Sequence, residues 1–197
     1  MLNTIATAQY ETLACAPAVF ASLTDTVHPQ GIAALFPAPD LPLSPVRTLT
    51  LMLDGIRDPG NAGTLLRSAE AAGAELAIFG PGSVDPFNEK VLRAAMGAHF
   101  RLPIRACPTW AQVLPLLQDG VASYVADTAG ALDYDQVDWR KPSLLAVGSE
   151  SVGAGAEMRA LAVAITIPMA GKTESLNAGV AGSIILFEAA RQRRNPR

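Results

Sequence analysis

The spacing of apolar positions changes character several times along this chain, and each change marks an element. Leu49–Leu53 (LTLML) is a continuous apolar run, the pattern of a strand buried on both faces. A turn-rich stretch, DGIRDPGN, follows. Gly63–Ala72 then carries Leu65, Leu66 and Ala69 at the spacing of one helical face. Gly73 is placed to stop that helix in a left-handed conformation. Leu76–Phe79 reads as the next strand, and Phe87–Met96 as a helix with Val91, Leu92 and Ala95 inward. Further strands are predicted at Leu102–Ala106, Ser123–Ala126, Leu144–Val147 and Val163–Ile167, and further helices at Trp110–Leu117 and Leu176–Arg193. This alternation predicts an α/β fold, a mostly parallel sheet with helices on both faces. In such sheets ligands bind beyond the carboxyl ends of the strands.

Residues 1–45 read differently. Pro17–Leu23 is a short helix candidate with proline at its start, and Gly31–Phe36 a short strand candidate. The stretch PAPDLPLSP then places four prolines in nine residues, a stiff linker composition. The expected division is therefore an appendage over 1–45 and a main domain over 46–197. Half the residues are hydrophobic and 17% are charged. No apolar run reaches the ~18–20 residues of a membrane span, and MLNTIATAQYE has no basic signal-peptide region. Cys15 and Cys107 stand alone, which suits reduced thiols in a cytoplasmic protein rather than a zinc site. The net charge of −3 argues against a chain that wraps nucleic acid with its whole surface. Of 15 basic residues 12 are arginine, and Arg191, Arg193, Arg194 and Arg197 crowd the C-terminus. They suit either phosphate binding or the negative end of a helix dipole.

Three strand ends carry candidate chemistry. In DPGNAGTLLRSAEAAG, Asp58–Gly73, a turn runs straight into a helix and points N–H groups at a potential anion. Asn61 is a candidate cap for that helix. Arg67, one turn in, sits among small and apolar residues and needs a partner. That partner is either a structural neighbour such as Glu70 or Asp54, or a ligand. In GSESVGAGAE, Gly148–Glu157, a glycine follows a strand and Glu150 stands at its end. The glycines do not form G-x-G-x-x-G, because position 158 is Met. In Ile165–Arg194, Gly171-Lys172-Thr173 supplies the end of a Walker A loop, G-x-x-x-x-G-K-[ST]. The first glycine of that motif falls on Thr166, and Pro168 removes an N–H that would cradle phosphate. A phosphate loop is thus disfavoured. The small residues Ala178, Gly179, Ala181, Gly182 and Ser183 suit tight internal packing, a dimer interface or a ligand against the helix.

Taken in order, these blocks resemble the TrmH (SpoU) family of RNA ribose 2′-O-methyltransferases, within the SPOUT class. LDGIRDPGNAGTLLRSAEAAGA is similar to that family's first motif, LLAVGSESVG to its second and IPMAGKTESLNAGVAGSIILFEAARQR to its third. VLRAAMGAHFRLPI, between the first two, also fits. The resemblance covers about Thr48–Arg194. Residues 12–36, notably DTVHPQGIAAL, are more weakly similar to the end of an L30e-like RNA-binding domain. The resemblance implies a deep trefoil knot, S-adenosylmethionine as cofactor, structured RNA as substrate (ribosomal before transfer RNA), a homodimer and no metal. It places cofactor contacts at Gly148, Ile167, Met169 and Leu176. It places the polar active site at Asn61, Arg67, Glu150, Ser175 and Asn177.

The implied chemistry is an in-line attack of a ribose 2′-oxygen on a sulfonium methyl. A guanidinium does not deprotonate readily, so Arg67 is expected to bind phosphate and stabilise the developing alkoxide, with Glu150 orienting it. Rival readings are a catalytically silent RNA-binding protein on the same fold, a P-loop nucleotide hydrolase and a base methyltransferase of the SPOUT class.

Overall fold

The computed structural model describes residues 11–23, 29–45 and 47–194. The start of the DTVHPQGIAAL stretch, Val46 and Arg197 lie outside them. Two compact units divide at Pro37/Ala38, inside the proline-rich stretch. Among its described residues the first contains one helix, α1 (Pro17–Ser22), with proline in its first turn and no buried residue. Gly31–Phe36 does not take up strand structure, and Leu35 is fully exposed.

The second unit is built on a seven-stranded sheet. Its strands are β1 (Leu49–Asp54), β2 (Leu76–Phe79), β3 (Ile104–Ala106), β4 (Ala122–Ala126), β5 (Leu132–Asp133), β6 (Ser143–Gly148) and β7 (Val163–Thr166). They lie in the order β3-β2-β1-β6-β4-β7-β5, and every pair is parallel. The central strands β1 and β6 are buried along their whole length, as a two-faced apolar run requires. Alternation then divides the core. Leu49, Leu51 and Leu53 with Leu145 and Val147 face one helical layer, while Met52, Leu144 and Ala146 face the other. The first layer holds α2 (Pro59–Ala71), α3 (Glu89–Ala95) and α6 (Ala178–Arg194). The second holds α4 (Trp110–Val113) and α5 (Ala156–Leu161).

Several boundaries differ from expectation for identifiable reasons. Helix α2 starts at Pro59 rather than Gly63, and its cap is Asp58, whose carboxylate accepts the Asn61 N–H at 2.8 Å. Asn61 is therefore not the cap, and the anion-receptive helix start is already filled by Asp58. Gly73 does take the left-handed conformation, with φ 81°. In α3 the buried stripe is Val91 and Ala95; Leu92, about 100° around the helix, is 40% exposed rather than inward. Pro115 breaks the expected Trp110–Leu117 helix into α4 and a 3₁₀ turn. The expectation missed β5 and α5, which are only two and six residues long. Strand β7 ends at Thr166 and α6 begins at Ala178, so residues 167–177 form a long irregular segment.

Because β7 lies between β4 and β5, the short link from β4 to β5 must cross it. The crossing is tight. A Cβ at Gly130 would lie 2.6 Å from the Ile165 carbonyl carbon. The Asp127 N–H donates to the Ile165 carbonyl at 2.9 Å, and the Tyr134 N–H to the Thr166 carbonyl at 2.9 Å. On the way from β5 to β6 the chain buries Trp139 completely. The C-terminal arginines are used here. Arg193 donates to the carbonyls of Trp139 and Thr48, both at 2.7 Å, and Arg191 forms a two-pronged pair with Glu188. Both arginines are thus engaged by side chains or carbonyls of the chain itself, and neither contact is with the carbonyl end of α6 that a helix dipole would favour. Among the described residues no helix is long and apolar enough to cross a membrane.

The last residue of β1, Asp54, is 5% exposed and accepts the Gly155 N–H at 2.7 Å. Burial pushes its carboxyl above the ordinary range; the Gly155 bond acts in the opposite sense, and Glu157 adds to the rise. A folded-state value above the unfolded one of ~3.9 means that the folded chain holds this proton more tightly. The contribution of Asp54 to stability is therefore greatest below that value and declines as pH rises through the folded pKa. Asp54→Asn removes this decline. Its melting temperature relative to native should be higher at about pH 7 than at about pH 4; a difference that shrinks with pH in thermal melts would contradict the assignment.

Candidate active site

The sheet ends in a cleft of about 430 Å³ at the carboxyl edges of β4, β6 and β7. Its volume falls within the ~300–1,000 Å³ of small-molecule sites. The walls are of two kinds. Val147, Ile165, Ile167, Leu176 and Ile185 give an apolar surface, and Asp127, Glu150, Arg159, Glu174 and Ser175 give a polar one. A flat heterocycle fits the first, and a charged, hydroxylated remainder fits the second. Gly148, Ile167, Met169 and Leu176, expected as cofactor contacts, all line the cleft, as do Glu150 and Ser175. Asn61, Arg67 and Asn177 do not.

Asn61 and Asn177 instead meet Glu150 in a single cluster. The Asn61 side-chain amide donates to Glu150 Oε1. The Asn177 amide donates to Asn61 Oδ1 at 2.8 Å and to Glu150 Oε1 at 3.3 Å. The Ala178 N–H, first in α6, also donates to Glu150 Oε1, at 3.4 Å. A carboxylate there sits at the favourable end of the helix dipole. Asn177 fixes the helix start from the other side, accepting the Val180 N–H at 3.2 Å through its side chain. The first turn of α2 and the start of α6 thus converge on one carboxylate oxygen of the loop after β6.

Close packing of α2 on α6 makes the convergence possible. A Cβ at Gly179 would lie 3.2 Å from Asn61 Oδ1 and equally from Asn177 Oδ1, and one at Gly182 would lie 2.3 Å from Leu65 Cδ2. Ser68 and Ser183 bridge the two helices at 2.7 Å. Ala178, Gly179 and Gly182 are buried within the chain, so these small residues serve internal packing. Gly148 is small for a similar reason. Its Cβ would fall 2.1 Å from the Ala154 nitrogen, because the loop after β6 folds back over it. What approaches this glycine is the chain's own loop.

Arg67 lies apart. It is exposed on α2 and makes no ion pair or hydrogen bond among the described residues. The two structural partners considered for it are otherwise engaged: Glu70 with Arg101 at 2.7 Å, and Asp54 with Gly155. Glu150 is held by Asn61, Asn177 and Ala178 rather than by Arg67, so an orienting role of Glu150 toward Arg67 is absent within one chain. Lys172 lies on the exposed irregular segment well before α6 begins, so no helix start follows Gly171-Lys172-Thr173 as a phosphate loop requires. Sequence reasoning missed Asp127 and Arg159. These residues face each other in the cleft wall at 2.5 Å, and Arg159 also donates to the Ala154 carbonyl at 3.0 Å. No motif flagged either one. Asp54 carried a weak signal, an acid closing an apolar strand. Among the described residues no group of three or more His, Cys, Asp or Glu is placed to hold a metal.

Comparison with known proteins places this geometry. The sequence profile of the SpoU rRNA Methylase family matches residues 48–187. The 23S rRNA (guanosine(2553)-2′-O)-methyltransferase RlmP of Bacillus subtilis is 35% identical over 85% of this chain and 68% of its own length. The mouse mitochondrial rRNA methyltransferase 3 is 34% identical over 87% of this chain, which spans only 55% of that longer relative. The crystal structure of the SpoU methyltransferase AviRb from Streptomyces viridochromogenes superposes with a TM-score of 0.86 at 30% identity, covering 100% of this chain and 79% of that one. A second structure of that enzyme, in complex with the cofactor AdoMet, gives 0.72 at 33% identity over 76% of this chain and 63% of that one. With the profile spanning its sheet, its cleft and the Asn61–Glu150–Asn177 cluster, this chain belongs to the SpoU rRNA methylase family.

Proposed function

We propose that the chain transfers a methyl group from S-adenosylmethionine to the 2′-hydroxyl of a ribose in structured RNA, ribosomal RNA in particular. The observation that carries this is the adjacency of a part-apolar, part-charged cleft and the Glu150 cluster at its polar side. The residues fit the cofactor. Ile167, Leu176 and Ile185 suit an adenine ring, and the carboxylates of Glu150 and Glu174 suit a cationic sulfonium and ammonium. When bound, S-adenosylmethionine supplies an already activated methyl, so the protein's task is alignment, which alone can contribute ~7–11 kcal/mol. Glu150, held on one oxygen by two asparagines and a helix N–H, offers a fixed acceptor for a ribose hydroxyl. Ser175, in the cleft wall two residues before Asn177, can donate to the same group. The relatives named for ribosomal RNA modification support that substrate class, and bacterial relatives support a cytoplasmic setting.

Arg67 completes the site from a second copy in this account. It lies outside the cleft wall, it is free to bind a phosphate, and α6 exposes Val180 and Phe187, 46% and 52% accessible, as an apolar strip for a homodimer. The tight β4–β5 crossing over β7 at Gly130 is what supports a threaded, knotted path for residues 167–177.

Two experiments test these proposals. RNA methylated by the purified chain with labelled S-adenosylmethionine, digested to nucleosides, should yield 2′-O-methyl ribonucleosides; label on a base would favour the base-methyltransferase reading, and absence of cofactor binding the silent one. Arg67→Ala and Glu150→Gln chains, each strongly impaired alone, should regain activity when unfolded and refolded together. Persistent inactivity of the mixture would mean that Arg67 and Glu150 do not combine across two copies.

A further inference from the structure

The loop from β6 to α5, residues 149–155, carries Glu150 and forms part of the cleft wall. Its first half closes on itself: Ser149 and Gly153 exchange backbone hydrogen bonds at 3.2 and 2.8 Å, and the Val152 N–H donates to Ser149 Oγ at 3.3 Å. Its second half is gripped from outside at two successive residues. Arg159 takes the Ala154 carbonyl, and Asp54 takes the Gly155 N–H at 2.7 Å. Asp54 is also the register partner of Gly148, the glycine on which the loop folds back. The ends of the two central strands thus act on one loop. Gly148 gives it clearance, and Asp54 gives it an anchor.

Asp54 is a costly way to make a single hydrogen bond. It is 5% exposed, forms no ion pair among the described residues, and has Glu157 as a repelling neighbour. A buried carboxylate without a counter-charge is unfavourable, so a residue chosen for stability alone would be neutral here. Asp54 does not line the cleft, and it makes no hydrogen bond to Asn61, Glu150 or Asn177. It reaches the site only through the loop.

We propose that Asp54 is a positioning residue for methyl transfer: through the Gly155 N–H it fixes the 149–155 loop and so holds Glu150 against Asn61 and Asn177. This role rests on the methyltransferase reading, and its test is kept separate by requiring native activity first. Single-turnover methyl transfer is measured on the full chain at saturating S-adenosylmethionine and RNA, for Asp54→Ala and Asp54→Asn, each in the native and the Glu150→Gln backgrounds. Affinity for S-adenosylhomocysteine and melting temperature are followed in parallel.

Asp54→Ala should slow transfer by about tenfold or more, the scale of a small misplacement of a reacting group, and should weaken S-adenosylhomocysteine binding. Asp54→Asn, whose amide oxygen still accepts the Gly155 N–H, should restore most of both. In the Glu150→Gln background, Asp54→Ala should cost much less, because the group it positions is already compromised. Equal losses in the two backgrounds, no loss in either, or an Asp54→Ala chain too unstable to assay would make Asp54 a support of the fold alone and overturn the proposal. Failure of the native chain to transfer methyl at all would overturn the functional reading instead.

Discussion

One carboxylate oxygen gathers the polar groups beside this molecule's cleft. Glu150 Oε1 receives Asn61 from the first turn of α2, Asn177 from the end of the irregular segment, and the first N–H of α6. The donors come from two places far apart in the chain, Asn61 on one side and the adjacent Asn177 and Ala178 on the other, and they reach the carboxylate only with the sheet, the two helices and the loop after β6 all in place. The cluster is therefore a check on the whole fold as well as part of a site. Its geometry also explains the choice of residues. A carboxylate satisfies several donors and the positive end of a helix at once, and the two asparagines can each donate and accept in one chain of bonds.

The main constraint on reaching that arrangement is space. Helix α6 must approach α2 closely enough for Asn177 to touch Asn61, and Gly179 and Gly182 permit this where any side chain would meet Asn61 or Leu65. The loop bearing Glu150 must turn back over β6, and Gly148 permits that. The β4–β5 link must cross β7 against the backbone of Ile165, and Gly130 permits that. In all three places glycine serves close approach of one segment to another rather than freedom of the backbone. The stability lost through its entropy and poor helix propensity is offset by contacts that only a missing Cβ allows.

Much of this was legible in the sequence, and the reasons are specific. The apolar runs of β1 and β6 have the length and continuity of two-faced strands, and the Leu65–Leu66–Ala69 spacing matches a helix with one buried face. Gly148, Ile167, Met169 and Leu176 fell on the cleft because they flank strands whose carboxyl ends form it. What failed was short or non-local. Helix α2 began a turn early because Asp58, not Asn61, had the side chain in reach of the free N–H groups. The two-residue β5 has too few positions to show a period. The sequence placed Glu150 and Arg67 in one site but could not say that the donors to Glu150 within one chain would be Asn61 and Asn177. Asp127–Arg159, an ion pair across 32 positions with no motif around either residue, left no trace in the sequence pattern.

The direct test of the account is to change Glu150 itself while leaving its shape. Glu150→Gln keeps one oxygen for the three donors but removes the negative charge and the second acceptor oxygen. Single-turnover methyl transfer at saturating cofactor and RNA should fall by about 10²-fold, the scale of a misplaced reacting group, while affinity for S-adenosylhomocysteine changes little by comparison. Near-native transfer in Glu150→Gln would contradict the claim that this carboxylate organises the site.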